Sequence, residues 1–149
     1  AFDTEIRSDT APLHGLVAAL LGAVPDVHCL RDATRGGLAA VLNELASASG
    51  VGIEFDEGAV PIAPAVASAC EMLGLDPFYV ANEGKMVVIL PGEYADAALV
   101  ALRATPFGAD ATRIGEVVAE HPGTVLARTR IGARRVVDLP AGELLPRIC

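Results

Sequence analysis

The chain has 149 residues, 19 acidic against 11 basic side chains, and a formal net charge of −8. That length suits one compact domain, and a pI near 4.7 speaks against nucleic acid or an anionic membrane as partner, since both need clustered Lys and Arg. Aromatic residues are only 4 % of a chain that is 52 % hydrophobic, and Trp is absent, so Ala, Val and Leu must fill the core.

In chain order, Leu13, Leu16, Val17, Leu20, Leu21 and Val24 recur at helical spacing. Asp9 and Thr10 precede Pro12 as N-cap candidates, and Pro25 marks the end. A short strand is predicted over 27–31. A second helix follows over 35–49, with Leu38, Val41, Leu42 and Leu45 inward and Gly50 as its stop. Residues 51–55 alternate like a strand. Pro64 and Gly74 bracket a third helix over 64–73, whose apolar face holds Val66, Ala69, Cys70 and Leu73. Residues 78–81 read as a brief extended piece and 86–90 as an unbroken buried strand. A fourth helix spans 93–104 and a strand 113–118. Residues 125–129 and 134–139 form a hairpin around Ile131-Gly132-Ala133.

Helices that separate strands, closed by a hairpin, predict an α/β (α+β) domain with a mixed sheet covered by helices. A purely parallel sheet is excluded by the antiparallel hairpin. Residues 140–149 hold Pro140, Gly142 and Pro146 and show no periodicity; they read as an extended tail leaving a domain of residues 1–139. The mean hydropathy is +0.47, yet the longest apolar run is 16–24, short of the about 20 residues a spanning helix needs. A soluble, cytoplasmic domain is expected. The chain opens Ala1-Phe2-Asp3-Thr4 without Met and is expected to be part of a longer protein.

Three segments could carry chemistry. Arg31-Asp32-Ala33-Thr34-Arg35-Gly36-Gly37 lies between a strand and a helix. Backbone amides of a Gly pair at a helix start can approach an anion closely, Thr34 can cap, and Arg35 can fork onto a phosphate or carboxylate. The plainer alternative is a capped helix whose glycines permit close packing, with Asp32 and Arg35 paired to each other. Asn82-Glu83-Gly84-Lys85 stands at the entrance to the strand over 86–90. A carboxylate at a strand entrance with apolar neighbours is a candidate general base; the alternative is an ordinary β-turn with a surface Glu and Lys. Lys85 is the chain's only lysine.

The third segment is terminal, Leu145-Pro146-Arg147-Ile148-Cys149. A thiol on the last residue of a tail can act as a carrier arm, because the thiolate is a good nucleophile and its acyl derivatives are labile. The adjacent α-carboxylate disfavours the thiolate, so Arg147 or a partner's positive groups would have to favour it. Cys29, Cys70 and Cys149 are too far apart in sequence for a CxxC motif, and His14, His28 and His121 have no metal-ligand spacing. No metal site is expected.

Ser8-Asp9-Thr10-Ala11-Pro12-Leu13, the 31–37 segment, Asn82-Glu83-Gly84-Lys85 and Pro146-Arg147-Ile148-Cys149 occur in one order and spacing that resembles the C-terminal half of the HypE family of hydrogenase maturation factors. That family is similar in fold to the PurM (aminoimidazole ribonucleotide synthetase) superfamily. The resemblance implies a PurM-like C-terminal domain, an N-terminal ATP-binding domain lying outside this chain, and a homodimer at full length. It implies ATP and Mg as cofactors of the full-length protein, with none expected on this fragment alone. By the same resemblance HypF carbamoylates the thiol of Cys149, an ATP-dependent dehydration turns the thiocarboxamide into thiocyanate, and cyanide passes to iron on a HypC–HypD complex. Glu83 then matches the family's glutamate and takes the role of base. Lys85 would hold Glu83 or neutralise phosphate charge, and Arg35, Gly36 and Gly37 would face a phosphate. The fragment by itself is expected to be inactive. Two other readings stand beside this one: a docking module for HypF and HypC–HypD with the chemistry elsewhere, and a related enzyme acting on a small amide.

Overall fold

The computed structural model describes residues 6–139. Among these, Ala-rich and Leu-rich stripes build two apolar clusters that share one β-ribbon.

Helix α1 (His14–Ala23) and helix α4 (Ala95–Arg103) pack on each other through Leu20, Val24, Ala98 and Leu102. Leu20 is fully buried, whereas Leu21, expected on the same face, is 54 % exposed. The buried stripe is therefore narrower than the sequence pattern suggests. No side chain caps α1, against the expectation for Asp9 and Thr10. Thr10 instead bonds its hydroxyl to that of Ser8, and Asp9 is engaged further along the chain.

Strands β1 (Cys29–Asp32) and β3 (Met86–Ile89) form a two-stranded antiparallel ribbon, with Asp32 opposite Met86. Val88 packs on the α1–α4 cluster and its neighbour Val87 on the second cluster. Both faces of β3 thus meet apolar surface, which explains its unbroken apolar sequence. It is nonetheless only half-buried, because a ribbon of two strands leaves its edges open. The expectation of a fully buried strand over 86–90 is corrected on that point.

The second cluster lies between helix α2 (Gly37–Ser49) and a four-stranded sheet. The strands β2 (Gly52–Asp56), β4 (Gly115–Val118), β5 (Val125–Arg128) and β6 (Arg134–Val136) stand in the order β4-β2-β5-β6. β2 and β5 are parallel, and the other two pairings are antiparallel. The sheet is mixed and helix-covered as predicted, with the β1–β3 ribbon as a separate sheet. Ala39, Leu42 and Ala46 of α2 meet Ile53, Phe55, Val125, Ala127 and Val137, and Phe78 packs edge-on to Phe55 at 5.3 Å between ring centres. Small Ala side chains at the helix contact let backbone approach backbone, which is how a core poor in aromatics still closes.

Helix α3 (Pro64–Leu73) has the predicted bounds, with Gly74 left-handed at its end and Cys70 buried. Leu73, expected inward, is 61 % exposed. Residues 78–81 are not extended throughout. A 3-10 turn runs over Pro77–Tyr79, capped by the Asp76 carboxylate, which accepts the Phe78 amide hydrogen at 2.9 Å. An Asp-Pro pair favours such a cap.

The Pro77–Tyr79 turn is tied to β6. Arg135 donates to Glu57 and, at 2.8 Å, to Asp76, and its guanidinium stands 5.7 Å from the Phe78 ring centre. Burial works to lower the Arg135 pKa, but these hydrogen bonds and charges outweigh it and hold the guanidinium above its ordinary value. Tyr79 donates its hydroxyl to the Asp138 carbonyl at 2.9 Å. Its pKa is pushed up by burial first and then by the Asp76 charge. The buried Asn43 donates from Nδ2 to the carbonyls of Val137 at 2.7 Å and Ala39 at 2.9 Å. The chain beyond β6 is therefore held down as far as Asp138.

Candidate functional site

The antiparallel β1–β3 register places the end of β1 beside the start of β3, so the 31–37 and 82–85 segments meet at one end of the ribbon. Asn82 connects them. Its backbone amide donates to the Ala33 carbonyl at 3.0 Å, its side-chain amide donates to the Val80 carbonyl at 2.6 Å, and its Oδ1 accepts from Lys85 Nζ at 2.8 Å. Both the nitrogen and the oxygen of that side chain are engaged, which fixes the turn as a unit.

Lys85 is thus held by Asn82, and among the described residues the Glu83 carboxylate has neither a hydrogen bond nor an ion pair. Of the two roles expected of Lys85, holding Glu83 is corrected: the 3-residue step to Asn82 suits the turn and takes the ammonium. The side chains of Glu83 and Lys85 are exposed. A third segment closes over the turn. Asp9 Oδ1 accepts the Glu83 amide hydrogen at 3.3 Å. A Cβ on Gly84 would run into the Asp9 carbonyl, so only glycine permits that approach.

The glycine pair permits close packing. Gly36 and Gly37 have φ of +68° and +65°, a conformation that L side chains rarely adopt. A Cβ on Gly37 would lie 2.5 Å from both the Phe78 and the Val80 carbonyl oxygens. Gly36 is the N-cap of α2, and no side chain caps that end, so Thr34 does not take the expected role. Arg35 is exposed without a partner among the described residues, and Asp32 does not pair with it. Arg31 instead pairs with Glu44 of α2 at 2.8 Å. The first turn of α2 thus carries no side-chain cap, and Arg35, next to its N-cap in sequence, is exposed. Among the described residues no group of three His, Cys, Asp or Glu side chains could hold a metal ion. Cys149 lies outside the described residues.

Sequence reading missed the contact between Asp9 and the 82–85 turn and the central place of Asn82. The signal for Asp9 is its place in the Ser8-Asp9-Thr10-Ala11-Pro12 motif, where an Asp also suits a helix cap.

Residues 3–128 match the profile of "AIR synthase related protein, C-terminal domain". The chain belongs to that family. It is 59 % identical over 148 residues to the carbamoyl dehydratase HypE of Cupriavidus necator, covering 99 % of this chain and 42 % of that protein. It is 50 % identical over 147 residues to the carbamoyl dehydratase HypE of Escherichia coli, covering 99 % of this chain and 43 % of that protein. The chain spans less than half the length of these relatives. A HypE crystallised in complex with ATP superposes with a TM-score of 0.91 at 45 % identity, over 100 % of this chain and 46 % of that one. The HypE of a HypE–HypF complex superposes with a TM-score of 0.88 at 44 % identity, over 94 % and 45 %. As an AIR synthase related C-terminal domain, the chain has the predicted fold class. No helix among the described residues is long and apolar enough to cross a membrane.

Proposed function

We propose that this chain is the C-terminal domain, residues 1–139 with a carrier tail over 140–149, of an ATP-dependent S-carbamoyl dehydratase that supplies cyanide for [NiFe]-hydrogenase maturation. The observation that carries the reading is the 59 % identity to a carbamoyl dehydratase. It is supported by the meeting of the 31–37 and 82–85 segments at one end of the ribbon.

In this reading the Cys149 thiolate accepts a carbamoyl group from HypF and becomes a thiocarboxamide, S–C(=O)–NH2. Its oxygen is a poor leaving group, and ATP with Mg, held mainly by the N-terminal part of the full-length protein, supplies the phosphoryl group that makes it a good one. Phosphorylation of that oxygen releases ADP and one N–H proton to solvent and leaves an S–C(=NH)–O–phosphate; Glu83 then takes the remaining N–H proton as the C–O bond breaks, so phosphate leaves and S–C≡N remains on Cys149. A base must reach the proton it removes, and the Glu83 carboxylate is exposed and has no competing partner among the described residues. Lys85 and Arg35 stabilise phosphate charge, with the Gly36 and Gly37 amides at the start of α2. Cyanide then passes to a HypC–HypD complex, and the full-length protein works as a homodimer in the cytoplasm.

Two substitutions in the full-length protein test this. Glu83→Gln is expected to accumulate thiocarboxamide on Cys149 in the presence of ATP, because carbamoylation proceeds and dehydration does not. Cys149→Ala is expected to abolish cyanide transfer without altering the fold. Wild-type thiocyanate formation by the first, or normal hydrogenase maturation with the second, contradicts the reading.

A further inference from the structure

We propose that Asp9 is a positioning residue for Glu83, a deepening that rests on the reading of Glu83 as the proton acceptor. Asp9 stands 74 residues from Glu83 in sequence, yet its carboxylate takes the Glu83 amide hydrogen at 3.3 Å. The backbone of the same residue presses on Gly84, where any Cβ would overlap the Asp9 carbonyl. Two independent contacts therefore join one residue of the 6–13 segment to the two central residues of the turn.

The turn has three supports, and they differ in kind. Asn82 binds it from within to Ala33 and Val80, and the step into β3 is set by the ribbon register. Neither acts on the Glu83 backbone itself. Among the described residues, Asp9 is the group that does. With the Glu83 side chain exposed and unpartnered among the described residues, the direction of its carboxylate depends on the backbone from which it springs. Anchoring the Glu83 amide fixes where the side chain starts. A base held within about half an ångström of its working place keeps its rate, whereas an error of about 1 Å can cost up to about a hundredfold.

The chemistry required of Asp9 is an acceptor oxygen at Oδ1, not a negative charge. Asp9→Asn keeps that acceptor and Asp9→Ala removes it. In the full-length protein, already carbamoylated on Cys149, single-turnover dehydration with ATP is expected to slow about tenfold or more in Asp9→Ala and to stay within about twofold of wild type in Asp9→Asn. Carbamoylation by HypF and the thermal midpoint are expected to be unchanged in both, since Asp9 is exposed. Hydrogen exchange at the Glu83 amide is expected to quicken in Asp9→Ala alone. A wild-type dehydration rate in Asp9→Ala, with Glu83→Gln slow, overturns the inference and leaves the role of Glu83 standing. Equal slowing of Asp9→Ala and Asp9→Asn, or equal loss of carbamoylation and dehydration, also overturns it. Dehydration at wild-type rate in Glu83→Gln overturns the base assignment itself, and the exchange measurement still reports whether Asp9 holds the Glu83 amide.

Discussion

Gly37→Ala is the substitution whose cost the geometry defines best. At φ +65° an alanine carries a backbone penalty of about 1–2 kcal/mol. Its Cβ would also lie 2.5 Å from two carbonyl oxygens, those of Phe78 and Val80. These are backbone atoms beside the buried Phe78 ring, and pushing into such packing costs about 1–3 kcal/mol more. The expected total is about 2–5 kcal/mol, less up to about 1 kcal/mol recovered from the stiffer unfolded chain. Gly50 and Gly74 supply the controls, because φ is +64° and +65° there and a Cβ would meet nothing within 4 Å. Their alanine variants carry the backbone penalty alone. Urea midpoints of the three variants, measured side by side in the full-length protein, separate the two contributions. If Gly37→Ala loses no more stability than Gly50→Ala, the close approach of α2 to the Pro77–Tyr79 turn does not exist as described.

Asn43→Leu keeps the number and branching of side-chain heavy atoms but strips the Val137 carbonyl of its donor; a loss of about 1–3 kcal/mol is expected by urea denaturation, and a neutral result refutes the anchoring of the chain after β6. Tyr79 has its pKa raised above the ordinary value of 10.0 by burial and by Asp76. The folded state therefore holds that proton more tightly than the unfolded one, a contribution fully present below pH 10 and lost as pH rises through the folded value. The thermal midpoint is expected to fall less between pH 9 and pH 11 in Tyr79→Phe than in wild type; equal slopes refute the burial-driven shift.

Local punctuation made much of the fold legible. Pro64 and Gly74 bracket α3, Gly50 stops α2, and the turn at Gly132, with φ of +82°, closes the β5–β6 hairpin. In each case the residues that end an element lie inside it or beside it. Partners distant in sequence were not legible. Nothing near Asp9 says that its carboxylate will take the Glu83 amide rather than a helix end, since either acceptor role suits Asp. Likewise, the apolar run at β3 fits a buried strand as well as a ribbon that touches two clusters, one through Val87 and one through Val88. Lys85 could have reached either Glu83 or Asn82, and only the turn's folded geometry gives it to Asn82. The candidate segments were found as motifs; their meeting at one end of the ribbon depended on the pairing of β1 with β3.

Peptide mass spectrometry of the C-terminal segment, after incubation of the full-length protein with HypF, ATP and carbamoyl phosphate, tests the central claim most directly. The account predicts a carbamoyl group on Cys149 and none on Cys29 or Cys70. An unmodified Cys149, or modification of Cys29 or Cys70 in its place, would contradict it.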